Sequence, residues 1–73
     1  MPQYIVNKNP DSKGLHEVHN ISSGITHCLP NPENRIDLGF HNNCQQAIAH
    51  AKATYPNHRF DGCYHCANAC HTG

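Results

Sequence analysis

Eight His and five Cys stand in this chain of 73 residues against only sixteen apolar side chains larger than Ala or Cys. That imbalance constrains the fold more than any other feature. The sixteen include three Tyr and two Phe, and there is no Trp. A core this small does not by itself offset the entropy lost in ordering the chain, so a domain of this kind needs disulfides, a metal or a partner as a staple. His and Cys are the side chains that bind zinc most readily. The odd number of Cys argues against a scaffold of disulfides alone, which leaves one thiol over. A metal is therefore the expected staple.

Several classes fall away on charge and hydropathy. Five Lys and Arg balance five Asp and Glu. Lys8, Lys13, Arg35, Lys52 and Arg59 are scattered, so the basic footprint of nucleic-acid binding is not visible. No apolar run approaches the roughly 18 residues of a membrane span. The opening MPQYIVNKNP has neither the basic nor the apolar region of a signal peptide. The expectation is one small zinc-binding domain over residues 1–73, monomeric and cytoplasmic, with a macromolecular partner that the residues do not name.

Residues 3–8, QYIVNK, read as a strand rich in β-formers. NPDSKG at 9–14 is turn chemistry, and LHEVH at 15–19 completes an antiparallel hairpin. Residues 20–36 read as a long loop, which a compact domain tolerates when something pins it; His27 and Cys28 lie inside it. IDLGF at 36–40 is a short third strand. Residues 43–55 read as the main helix, capped by Asn42 or Asn43, stopped by Pro56, and carrying an apolar stripe of Cys44, Ala47, Ile48, Ala51 and Tyr55. Residues 57–62 read as a loop. The expected class is α+β: a short antiparallel sheet with one main helix packed on it, stabilised by zinc.

Cys63-x2-Cys66 is the spacing of a zinc knuckle, in which a tight turn lets two thiolates grip one ion. One such pair is half a site, and a lone pair of this spacing is also a redox motif. The other half must come from upstream, where His16, His19, His27 and Cys28 cluster. His16 and His19 point to opposite faces of a strand, so one of them joins at most. The favoured set is His19, Cys28, Cys63 and Cys66, a Cys3His site of the kind that holds structural Zn2+. His16, His27, Cys70 and His71 are the alternatives for the fourth position.

VNKN (6–9), HEVH (16–19), Cys28, LGF (38–40), Cys44-x2-Ala47 and GCYHC (62–66) together resemble small, mostly uncharacterised bacterial zinc-binding proteins. More distantly they resemble the metal-binding domain of the Ada DNA repair protein. The resemblance spans nearly the whole chain and implies the same four ligands and a small α+β fold. Eight residues separate His19 from Cys28 where the pattern has three. The Ada domain also has a methyl-accepting Cys where His19 stands, so methyl transfer is not implied.

Cys44, on the apolar stripe, reads as a buried inert thiol, and a Cys44–Cys70 pair, reduced or oxidised, is the other option. His41, His50, His58 and His65 read as solvated, with His65 placed to donate to a knuckle sulfur. Catalysis is not expected: four protein ligands close a zinc site, and no carboxylate sits in a recognisable catalytic motif. Five Cys exceed the three needed, so a thiol-based redox or metal sensor is the alternative function, with a DNA-binding module by analogy to Ada as a third.

Overall fold

The computed structural model describes residues 1–72. Its elements are β1 (Gln3–Asn7), β2 (Leu15–Asn20), β3 (Arg35–Phe40), α1 (Cys44–Thr54) and β4 (Arg59–Gly62), with 3-10 turns at Pro32–Asn34 and Asn68–Cys70. The class is α+β, as expected. No helix among the described residues is long and apolar enough to cross a membrane.

The hairpin forms as its turn chemistry dictates. Asp11 Oδ1 accepts hydrogen bonds from the N–H groups of Lys13 (2.8 Å) and Leu15 (2.9 Å), which closes the turn and starts β2. β1 and β2 then pair antiparallel, with Ile5 opposite His19 and Val6 opposite Val18. β3 pairs antiparallel with the other edge of β1, Val6 opposite Ile36.

Two expectations need correction here. The sheet is mixed, not purely antiparallel, and residues 57–62 are not wholly loop. β4 forms at Arg59–Gly62 and runs parallel to β2, with His16 opposite Phe60 and Val18 opposite Gly62, giving the order β3-β1-β2-β4. RFDG carries weak local strand preference, so its pairing is a long-range event that local propensity does not register. β3 and β4 both run in the direction of β2 but lie at opposite edges. Parallel strands require a crossover, and α1 supplies it.

Asn43 caps α1 by accepting the Gln46 N–H at 2.9 Å, while Gln46 Oε1 accepts the Asn42 N–H at 3.2 Å. Cys44, Ala47 and Ala51 are the fully buried helix residues, packed with Tyr4, Val6, Val18 and Leu38 in the core. Small side chains at the contact let the helix approach the sheet closely. Ile48 and Tyr55, also on the expected stripe, are only half-buried.

Cys44 is not an inert thiol. It is joined to Cys70 in a disulfide across Cα atoms 6.2 Å apart. The first turn of α1 faces the 3-10 turn at Asn68–Cys70, a relation visible only after the chain has folded. Closing a loop over a separation of 26 residues stabilises the fold by about 3.5 kcal/mol in the chain-entropy account. Cys44→Ser with Cys70→Ser should therefore lower unfolding free energy by about 2–4 kcal/mol in urea denaturation. A loss below about 1 kcal/mol contradicts this.

Candidate metal centre

The chain immediately after β4 sets up the first half of the site. Cys63 extends the β2–β4 ladder by donating its N–H to Val18 O at 2.9 Å. The chain then folds back, with Ala67 N–H donating to Cys63 O at 2.9 Å and Cys70 N–H to Ala67 O at 3.0 Å. Cys63 and Cys66 are thereby brought together as a knuckle, as their spacing predicts. Gly62 is needed for a reason other than turn conformation. A Cβ there meets Ala67 O at 2.6 Å, Cys70 Cβ at 2.6 Å and Cys70 C at 2.7 Å. The returning chain occupies the space a side chain needs.

His19 arrives from β2. Strand residues alternate faces, so Val18 points into the core against α1 while His19 points the other way, beside its cross-strand neighbour Ile5. His16, three residues earlier, goes elsewhere: its Nδ1–H donates to Asn7 O at 2.9 Å. Cys28 comes from the long loop. That loop is fixed by Ile21 N–H to Gln3 O (3.0 Å), Leu29 N–H to Thr26 O (3.2 Å) and Arg35 Nε–H to Pro30 O (2.8 Å).

These segments converge. His19, Cys28, Cys63 and Cys66 place one donor atom each within 4.8 Å of one another, an arrangement that could hold a metal ion. His19 Nδ1 lies 3.5 Å from Cys66 Sγ. Tetrahedral zinc, with bonds of roughly 2.3 Å to sulfur and 2.0–2.1 Å to nitrogen, sets sulfur and nitrogen about 3.6 Å apart. The donor set fits: three sulfurs and an imidazole in a buried pocket. His19 is 1% exposed, Cys63 and Cys66 are buried, and Cys28 is half-buried. His19 Nε2 is the buried side-chain polar atom left without a hydrogen-bond partner among the described residues.

The alternatives for the fourth position are all occupied otherwise. His27 packs edge-on against His65, ring centroids 4.6 Å apart. Cys70 is in the disulfide. His71 donates Nδ1–H to Gly62 O at 3.0 Å and lies 3.4 Å from Asp61 Oδ2. His65 contacts His27 and Tyr64 and not a knuckle sulfur, contrary to expectation. Two contributors were not anticipated. Arg35 is close enough to bear on His19 electrostatically. Asp61 fastens the C-terminal segment by accepting from Thr72 N–H at 2.8 Å and Thr72 Oγ1–H at 3.0 Å. No local spacing marks either one.

Protonation follows from burial. Burial, reinforced by Arg35, lowers the His19 pKa to about 4, so its imidazole is neutral and ready to donate a lone pair at pH 7. Burial also pushes the Cys66 thiol up, and the thiols of Cys28 and Cys63 beside it add to the rise, against a favourable Asn20 N–H. Burial raises Cys28 as well. Asp61 behaves differently: burial opposes its charge, but the Thr72 donors and His71 prevail and hold it below the usual carboxylate range.

No family model, curated protein or solved structure matches the chain.

Two outcomes follow. Gly62→Ala should destabilise the protein by about 1–3 kcal/mol, because the knuckle must shift to admit a methyl group; an unchanged melting temperature contradicts the close approach. Thiols held above their ordinary pKa are protonated at pH 7, and a metal binds only the thiolate. Loading should therefore displace protons from at least Cys28 and Cys66, and none from the neutral His19. Apparent affinity should rise about 100-fold or more per pH unit between pH 5.5 and 7.5. Calorimetry in buffers of different ionisation enthalpy counts the protons, and fewer than two contradicts the assignment.

Proposed function

We propose that the chain is a structural zinc module, holding one Zn2+ per molecule through His19, Cys28, Cys63 and Cys66. The observation that carries this is the convergence of three sulfurs and a neutral imidazole, from three separate segments, in one buried pocket. Three sulfurs with one nitrogen is a closed structural donor set, with no position left for a reacting water. Zinc suits it because thiolate and imidazole are its preferred ligands. The role is that of a binding or interaction domain whose surface the ion keeps in shape.

The sensor reading finds less support. A redox-sensing thiol is exposed and has a lowered pKa, whereas Cys66 is buried and its pKa is raised. The surplus of Cys that motivated it is also reduced, since Cys44 and Cys70 are bonded to each other.

A structural ion should be inseparable from the fold. Apparent zinc affinities in finger peptides correspond to about 10–16 kcal/mol, comparable with the whole net stability of a domain. At one molar equivalent of Zn2+, native mass spectrometry should find one zinc per chain in the wild type and in Cys70→Ser, and none in Cys63→Ser. Chelation should collapse the dispersed amide NMR spectrum. A metal-free protein with an unchanged spectrum refutes the structural role.

A further inference from the structure

Six of the eight His lie in three close pairs at the surface: His16–His58, His41–His50 and His27–His65, with ring centroids 4.7, 5.3 and 4.6 Å apart. We propose that two of these, His16–His58 and His41–His50, are accessory sites for a divalent transition-metal ion, separate from the Cys3His cluster.

The spacing is that of two imidazoles sharing an ion. Metal–nitrogen bonds of 2.0–2.1 Å, at an angle between about 90° and 110°, put ring centroids roughly 4.5–5.3 Å apart. The second observation concerns the free lone pair. His16 Nδ1 is 2.9 Å from Asn7 O, and a carbonyl can only accept, so the proton is on Nδ1 and the Nε2 lone pair is free. His41 is the mirror case. Its Nε2–H donates to Leu38 O at 2.6 Å and leaves Nδ1 free. A ring nitrogen tied to a backbone carbonyl while the other faces the ion is the usual arrangement of metal-bound His, and it fixes both tautomer and ring direction in advance.

The partners complete each pair without disturbing the fold. His58 precedes β4, His50 lies on α1, both are exposed, and neither ring makes a hydrogen bond among the described residues. Water can fill the remaining coordination positions. Lys8 lines the same small cavity as His16 and His58, so its ammonium weakens that site. His27–His65 differs from the other two pairs: neither ring is tied to a carbonyl among the described residues, so binding there has to order both side chains.

The probe is Zn2+ itself, titrated from one equivalent into the tens of micromolar on the full chain and followed by native mass spectrometry. Wild type should take up two more ions than the His50→Ala/His58→Ala double variant, and each single variant should hold one fewer than wild type. His27→Ala should match wild type. The side-chain NMR signals of His16 and His41 should move with the added ions. Equal ion counts in wild type and double variant overturn the proposal. So does loss of the extra ions in His27→Ala instead, which would make exposure rather than ring orientation the determinant. The cluster is tested separately: the His50→Ala/His58→Ala double variant should keep the tight ion and its dispersed amide spectrum while losing the accessory ions, whereas Cys63→Ser should lose the tight ion and, with the fold, the accessory ones. Thermal melts of His50→Ala and His58→Ala should match wild type, since both residues are exposed.

Discussion

The approach of His19 to Cys66, 3.5 Å across 47 residues of sequence, is the contact on which the rest of the molecule depends. It can form only if β4 lies alongside β2, because Cys63 is placed by its backbone bond to Val18, the residue next to His19. That parallel pairing in turn requires α1 to cross from one edge of the sheet to the other. A small core of Tyr4, Val6, Val18, Leu38, Ala47 and Ala51 holds the helix down but contains no large aromatic besides Tyr4. Much of the specificity for this arrangement therefore rests on polar groups that find their partners only in the folded state.

The five Cys divide between a disulfide and a cluster that could hold a metal ion. The disulfide ties the start of α1 to the segment just after the knuckle. The cluster ties that knuckle to β2 and to the long loop. Both act on the short stretch from Cys63 to Cys70, and Gly62 sits beneath it with no room for a Cβ. The partition also resolves the odd cysteine count, which excludes a pure disulfide scaffold but not a mixed one.

What was legible in the sequence was what local chemistry encodes. The hairpin, the third strand and the helix are written in turn residues, β-formers and an Asn cap. The four donors were legible because strand alternation separates His16 from His19 and the two-residue spacing of Cys63 and Cys66 marks a knuckle. β4 was not, since Arg59–Gly62 becomes a strand only by pairing with β2. The Cys44–Cys70 pair was legible only as an option beside an inert thiol, since 26 residues separate its ends and spacing alone does not decide whether they meet. The histidine pairs were invisible for the same reason. His41, His50 and His58 look solvated one at a time, and only the fold sets His50 beside His41 and His58 beside His16.

The protonation pattern explains why this cluster can be buried at all. Three thiolates packed within 4.8 Å of one another would repel strongly and lose their hydration, a cost that a small core cannot absorb. Burial raises the Cys28 and Cys66 pKa values and lowers that of His19, so these groups enter the folded state neutral. Neutrality makes the pocket tolerable but leaves the sulfurs weakly bonded, Cys66 Sγ lying 3.5 Å from His19 Nδ1. A dication reverses the balance. It makes the thiolates the stable form and reduces the charge of the whole centre to about one negative unit. Arg35, already near His19, is placed to offset that remaining charge. On the proposed zinc-loaded state, loading and folding would be coupled through proton release, and that coupling would help a chain with so few large apolar side chains hold one structure.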